Sequence, residues 1–327
     1  MHKLQHRYRP NMNKLQWDHW HIEPSSACAL QCPRCPRAEV PDSLLNKSLT
    51  LDFFQNQIGE DILRQIKKIT FCGNDGDPIY CKHFVEICAW IKQVNPTMQL
   101  TIVTNGSYKK VTWWKKLAEV LNENDEIHWS LDGWDQDSNQ KYRINCDWDS
   151  IIAGIQAFTQ HNFNTYKVWA SIAFRFNENS KSKQLELAKK YKFDCYQLTK
   201  STKFGSKYPG VYGSNDTLEP EDKNLIASSH RFERQNQVLS KKHRPGQDLK
   251  KLFLQRSANL AKHNAHTGIC LIGNKGVFLN SRGEFYPCCW TATRYDHNRL
   301  WHELADKKFN LHRHTFKKIL QDPFWTT

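Results

Sequence analysis

The sequence predicts an α/β protein built on a parallel β-sheet, open or curled into part of a barrel, and three observations predict it. Six short apolar or aromatic runs alternate with segments of helical periodicity over residues 17–198. Several of these runs end in turn sequences: Gly73-Asn74-Asp75-Gly76, Asn105-Gly106 and Asp132-Gly133. The chain has 327 residues, 39% of them hydrophobic, and is long enough to bury a large core. In sheets of this kind the functional loops gather at the C-terminal ends of the strands.

The elements follow in order. A first strand over 17–23 runs straight into a cysteine-rich loop at 28–35. Apolar positions at helical spacing over 51–66 lead to a buried strand at 68–73. Helices at 79–94, 111–121, 150–160 and 181–190 then alternate with strands at 99–104, 126–131, 166–174 and 193–198. Beyond Thr199 the alternation stops. Residues 200–218 read as a linker, and the polar sequence that follows reads as helical to about residue 264. Two short apolar runs around a turn within 276–287 form a β-hairpin signature, flanked by Cys270 and by Cys288-Cys289. There is no internal repeat and no low-complexity tract.

Several classes are excluded at this stage. No run approaches the roughly 18 apolar residues of a membrane span, and the basic N-terminus lacks the apolar region of a secretory signal. A cytoplasmic protein without a membrane partner is expected. The net charge is +14, and +11 of it falls in residues 200–327. That bias suits an anionic partner such as a nucleic acid, although a solvated basic face carries the same signature.

Eleven cysteines are the sharpest compositional fact, because clustered thiols in a reducing compartment more often bind metal or iron–sulfur than pair as disulfides. Cys28, Cys32 and Cys35 have the spacing C-x3-C-x2-C. At the chain's own cysteine frequency this arrangement arises by chance about 1% of the time. Three such thiolates can bind three corners of a 4Fe-4S cluster and leave one iron open to a substrate or cofactor. Zinc usually wants four closed ligands, and the nearest histidines, His19 and His21, lie on the preceding strand.

This loop, directly after a first strand and ahead of a βα array, resembles the cluster loop of the radical S-adenosylmethionine (SAM) superfamily. The resemblance covers about residues 17–200 and implies a partial (β/α)6 TIM-like barrel. It also implies a cluster whose open iron chelates SAM, and a one-electron cleavage yielding a 5′-deoxyadenosyl radical. Three further strand ends support it. Gly73-Asn74-Asp75-Gly76-Asp77-Pro78 is similar to the family's Gly-Gly-Glu-Pro segment for the SAM amino group, with Asp77 in place of Glu. Thr104-Asn105-Gly106 matches another family turn. Ser130-Leu131-Asp132-Gly133, with Arg143 thirteen residues beyond Ser130, resembles the pair that binds the SAM ribose and carboxylate. The resemblance thus names Asp75, Gly76, Asp77, Ser130, Asp132 and Arg143 as SAM-seating residues. Arg34 departs from it, standing where the family often has an apolar residue beside the adenine.

The spacing from Cys270 through Gly283 to Cys288, C-x12-G-x4-C, is similar to the start of the SPASM/twitch extension, which binds auxiliary 4Fe-4S clusters in peptide-modifying members. Cys270, Cys288 and Cys289 are therefore candidate ligands of one auxiliary cluster. The organisation expected is a basic leader at 1–16, the core at 17–200, a connection at 201–265 and the extension at 266–327. The extension points by resemblance to a peptide or protein substrate, and the family implies an electron donor such as flavodoxin or ferredoxin. The alternatives are a radical SAM enzyme acting on a nucleotide or RNA, and a non-catalytic iron–sulfur or zinc protein on the same fold. Cys72, Cys81, Cys88, Cys146 and Cys195 lack ligand spacing and read as small core residues, with Cys146 or Cys195 available as a missing ligand. Trp113-Trp114 reads as core and rim of a helix.

Overall fold

The computed structural model describes residues 18–39, 46–205, 217–228, 233–246, 277–293 and 299–323. Their centre is a nine-stranded sheet in the order β7-β6-β5-β4-β3-β2-β1-β8-β9. Strands β1 (His19–Ile22), β2 (Lys68–Phe71), β3 (Gln99–Thr104), β4 (Glu126–Ser130), β5 (Tyr166–Ile172) and β6 (Cys195–Lys200) are parallel neighbours in chain order. The crossovers carry α4 (Phe84–Val94), α5 (Val111–Val120), α7 (Trp148–His161) and α8 (Lys181–Lys190), while short helices α1 (Pro36–Glu39), α2 (Leu51–Phe53), α3 (Gly59–Leu63) and α6 (Gln136–Asn139) lie between strands. Two helices near the C-terminus, α9 (Arg299–Lys308) and α10 (Phe316–Leu320), follow the last strand. The sheet is open, as in a partial TIM-like barrel.

Alternation along each strand sets the core. Ile69 and Phe71, Leu100 and Ile102, Ile127 and Trp129, and Trp169 are fully buried in one continuous apolar cluster with Ile87, Trp114, Leu117, Ile155 and Phe158 of the helices. The intervening positions, among them Thr70, Thr101, Glu126 and His128, put polar groups on the other face of the sheet. At the N-terminal end of the strands Arg244 forks onto Glu126 at 3.1 and 3.2 Å. Every candidate cluster ligand on the 28–35 loop lies at the opposite end.

Three expectations are corrected. The helix over 51–66 is broken by a π turn at Phe54–Ile58, at whose end Gly59 takes φ +76°. The helix over 79–94 starts only at Phe84, because Asp77 caps a 3-10 turn at Pro78–Tyr80 and Cys81 is extended. The polar stretch after the linker is not helical throughout: Glu233–Val238 form β7, antiparallel to β6. Its side chains carry almost no apolar pattern, so the ladder with β6 decides its conformation. Residues 206–216 of the linker and 247–264 of the expected helical stretch lie outside the described residues.

The C-terminal hairpin forms as expected, from β8 (Val277–Leu279) and β9 (Phe285–Tyr286). It also joins the main sheet: β8 runs parallel to β1, with Val277 opposite Trp20 and Leu279 opposite Ile22. No helix among the described residues is long and apolar enough to cross a membrane.

Candidate active site

The loop after β1 places three thiols at the C-terminal end of the sheet. Leu30 is buried as its anchor, Gln31 N–H donates to Ile144 O at 3.0 Å, and Asn145 Nδ2 donates to Ala29 O at 2.8 Å. Cys28 and Cys35 are half-buried and Cys32 is buried. Burial pushes the Cys28 and Cys32 thiols up to about 12, and Cys35 upward as well. Cys28 is raised further by Asp77 and by the other two thiols, whereas Arg143 pulls Cys32 and Cys35 down. The three thiols are thus close enough to feel one another. Among the described residues no three His, Cys, Asp or Glu side chains converge on a single-ion position. Ligands of a cubane bind different iron atoms and need not meet at one point.

The segment after β2 is interlocked with that loop. A Cβ on Gly73 would overlap the Gly76 carbonyl, and one on Gly76 would overlap the Ser25 carbonyl, so both positions exclude side chains. Asp77 N–H donates to Ala27 O at 3.0 Å. The Asp77 carboxylate, buried and pushed upward by that burial, accepts from Thr104 Oγ1 at 2.8 Å and from Asn105 N and Nδ2, both at 2.7 Å. Asn105 Nδ2 also reaches Cys28 Sγ at 3.7 Å. One short network therefore joins the ends of β2 and β3 to the first cysteine. Arg37 Nη1 donates to the carbonyls of Ser26 and Asp75, tying the cysteine loop to the same segment.

The segment after β4 brings the charged pair. Ser130 is half-buried at the end of the strand. Asp132 is fully buried: its Oδ1 accepts from Ile172 N at 2.7 Å and its Oδ2 from Arg143 Nε at 2.6 Å. Its carbonyl accepts from Asn177 Nδ2 and Gln184 Nε2, both at 2.8 Å. Asp132 thus orients Arg143, whose positive charge lies near enough to Cys32 to pull its thiol down and which stacks 5.2 Å from the Tyr142 ring. Arg34 is buried.

The C-terminal hairpin packs beside the segment after β2. Asn74 Nδ2 donates to Cys289 O at 2.7 Å, and Arg282 Nη1 lies 3.9 Å from Asp75 Oδ2. Cys288 and Cys289 are half-buried, and Cys270 lies outside the described residues. Cys81, Cys88, Cys146 and Cys195 are buried as small core residues, while Cys72 is half-buried. Cys195 opens β6, at the far end of the strands from the cysteine loop, and is out of reach as a spare ligand. Trp114 is core and Trp113 is rim, as the sequence suggests. Sequence reasoning missed Glu23, whose carboxylate accepts from the N–H groups of Asp75 and Gly76. It also missed Asn74 and Arg282. A lone carboxylate just past a strand carries no motif; the one signal was its place between β1 and the cysteine loop.

Residues 22–184, about half of the chain, match the family model of the Radical SAM superfamily. The chain belongs to that superfamily. A radical SAM enzyme uses a 4Fe-4S cluster and SAM, and this radical SAM enzyme offers a fitting donor set: buried thiols that repel one another when ionised need a neighbouring positive charge, which iron supplies. A 160-residue stretch is 29% identical to molybdenum cofactor biosynthesis protein 1 of Drosophila melanogaster, covering 48% of this chain and 27% of that protein's length. The fold is similar to that of SuiB from Streptococcus suis bound to the precursor peptide SuiA, with a TM-score of 0.56 at 15% identity, over 96% of this chain and 67% of that one. It is also similar to anSMEcpe with bound AdoMet and the Cp18Cys peptide, with a TM-score of 0.52 at 15% identity, over 94% of this chain and 80% of that one. At these identities the likeness is one of fold.

Proposed function

We propose that this radical SAM enzyme abstracts hydrogen from a peptide or protein side chain, with Cys28, Cys32 and Cys35 holding the cluster. The observation that carries the reading is the interlocking of four strand ends around those thiols, through Asp77, Asn105, Asp132 and Arg143. When bound, the cluster and SAM supply a one-electron cleavage that generates a hydrogen-abstracting adenosyl fragment. The chain's own residues do the seating. Asp77 and Asn105 fix the position of Cys28, while Asp132 aims the Arg143 fork, a match for the SAM carboxylate. Asp75 and Gly76 offer backbone that can approach the SAM amino group closely, and Ser130 offers a hydroxyl for the ribose. Cys288 and Cys289, with Cys270, are the candidate ligands of an auxiliary cluster. The proposed core spans 17–200, the connection 201–265 and the extension 266–327.

The peptide substrate is supported by the reach of the fold match. It covers 94–96% of the chain, and both matching structures were captured with a peptide. The test is anaerobic reconstitution with dithionite and SAM, scoring 5′-deoxyadenosine and methionine. Deuterated peptide pools and deuterated RNA are then compared as donors. Deuterium in 5′-deoxyadenosine from peptide but not RNA supports the reading, and the reverse result replaces it with the nucleotide alternative. Equal 5′-deoxyadenosine from wild type and Cys32→Ala would sink the cluster assignment.

A further inference from the structure

The segment proposed to seat SAM is held by a residue outside every motif. Glu23 follows β1 directly and is 1% exposed, and its backbone N–H donates to Leu279 O at 2.8 Å. Its Oε1 accepts two consecutive backbone N–H groups, Asp75 at 2.6 Å and Gly76 at 3.1 Å. A Cβ on Gly73 would lie 2.6 Å from the same oxygen, so the carboxyl fits because position 73 has no side chain. Asp77, which stands in the family's carboxylate position, is turned away toward Thr104 and Asn105.

We infer that Glu23 is a positioning residue for the SAM site, its carboxyl splinting Asp75 and Gly76 so that this backbone meets the cofactor in a fixed place. The inference rests on reading 73–78 as the SAM-seating segment. Glu23 acts through two main-chain groups, so its removal loosens the segment without removing any group that touches SAM.

The surroundings give this splint a pH dependence. Glu23 faces Asp75 on the segment and His21 on its own strand, while Arg282 reaches Asp75 from the hairpin and Arg37 reaches the Asp75 carbonyl. Burial, followed by the Asp75 charge, pushes the Glu23 carboxyl up to about 8, with the two N–H bonds and His21 opposing. The carboxyl is therefore protonated at pH 6.5 and ionised at pH 9. Because burial and the Asp75 charge disfavour the ionised carboxyl more than the two N–H bonds favour it, the splinted arrangement loses stability as pH rises through that value.

Two measurements on the full chain test it. Amide hydrogen exchange without cluster should show Asp75 and Gly76 exchanging about tenfold faster in Glu23→Ala than in wild type. Glu23→Gln keeps a neutral acceptor and cannot ionise. On reconstituted protein, its SAM affinity by calorimetry should equal that of wild type at pH 6.5 and be several-fold stronger than that of wild type at pH 9, where the wild-type carboxyl is ionised against Asp75. Wild-type exchange in a folded Glu23→Ala variant overturns the proposal, and so does a Glu23→Gln affinity that tracks wild type at both pH values. If Glu23→Ala does not fold, the Gln pH comparison decides. If wild type binds no SAM, the reading of 73–78 fails, while the exchange rates still judge the splint.

Discussion

Replacing Asp132 by Asn isolates what holds the Arg143 fork. The two side chains are 0% and 15% exposed, so their 2.6 Å ion pair is largely shielded from water. Asn retains an acceptor for the Ile172 N–H but removes the charge that faces Arg143. Breaking a buried pair by deleting one partner costs about 3–5 kcal/mol, because a buried charge stays behind. Arg143→Ala leaves the carboxylate instead, and a carboxyl can take up a proton where a guanidinium cannot lose one. Burial raises the Asp132 carboxyl above its unfolded value, with Arg143 opposing. The stability tied to its protonation is therefore full below its unfolded pKa of about 3.9 and lost as pH rises through the folded pKa. Without Arg143 the folded pKa climbs further. The Arg143→Ala cost is thus small near pH 4 and grows toward pH 8, while the Asp132→Asn cost does not grow. Urea denaturation followed by tryptophan fluorescence across that range measures both. The Asp132→Asn, Arg143→Ala double variant closes a cycle with a coupling of about 1–3 kcal/mol. An Asp132→Asn loss below about 1 kcal/mol at pH 7.5, or a pH-independent Arg143→Ala loss, refutes the reasoning.

The other predictions concern the surrounding contacts. Arg143→Ala should weaken SAM binding by about 1.5–3 kcal/mol in calorimetry with iron content unchanged; unaltered affinity would remove Arg143 from the site. Gly76→Ala forces a methyl group against the Ser25 carbonyl and should cost about 1–3 kcal/mol in denaturant stability, with weaker SAM binding. Asn105→Asp sets a second carboxylate against Asp77 and should lower iron incorporation at the 28–35 loop, measured per chain after reconstitution; full incorporation counts against the network. Wild type should take up about eight irons if both cysteine groups hold 4Fe-4S clusters, and the Cys270→Ala, Cys288→Ala double variant about four with SAM cleavage retained. A wild-type count near four, unchanged in the variant, would argue against an auxiliary cluster.

What the sequence disclosed depended on how local each signal was. The βα alternation through 200 was legible because each strand and helix carries its own period, and the cysteine loop because its spacing is a statement about neighbours. β7 was not legible: Glu233-Arg234-Gln235-Asn236-Gln237 has no apolar face, and only β6 gives it a conformation. The hairpin was legible as a hairpin, but its union with β1 depends on residues more than 250 positions apart. The carboxylates show the same division. Asp77 and Asp132 were named by the resemblance of their turns to family segments, yet spacing does not encode that one turns to Asn105 and the other to Arg143. Glu23 matters because it meets a segment fifty residues downstream, and nothing within a short window reports that.

The parallel pairing of β8 with β1 sets a schedule for biosynthesis. β1 is flanked by β2 on one side and by a strand that leaves the ribosome about 257 residues later, so at roughly 5–20 residues per second the edge beside Trp20 and Ile22 waits on the order of 10–50 s for its partner. During that interval a strand edge next to the cysteine loop has open hydrogen-bonding groups of the kind that template aggregation. A chain stopped before residue 277 lacks the strand that pairs with that edge. It should partition into the insoluble fraction on expression, and adding residues 277–293 in trans should recover part of it.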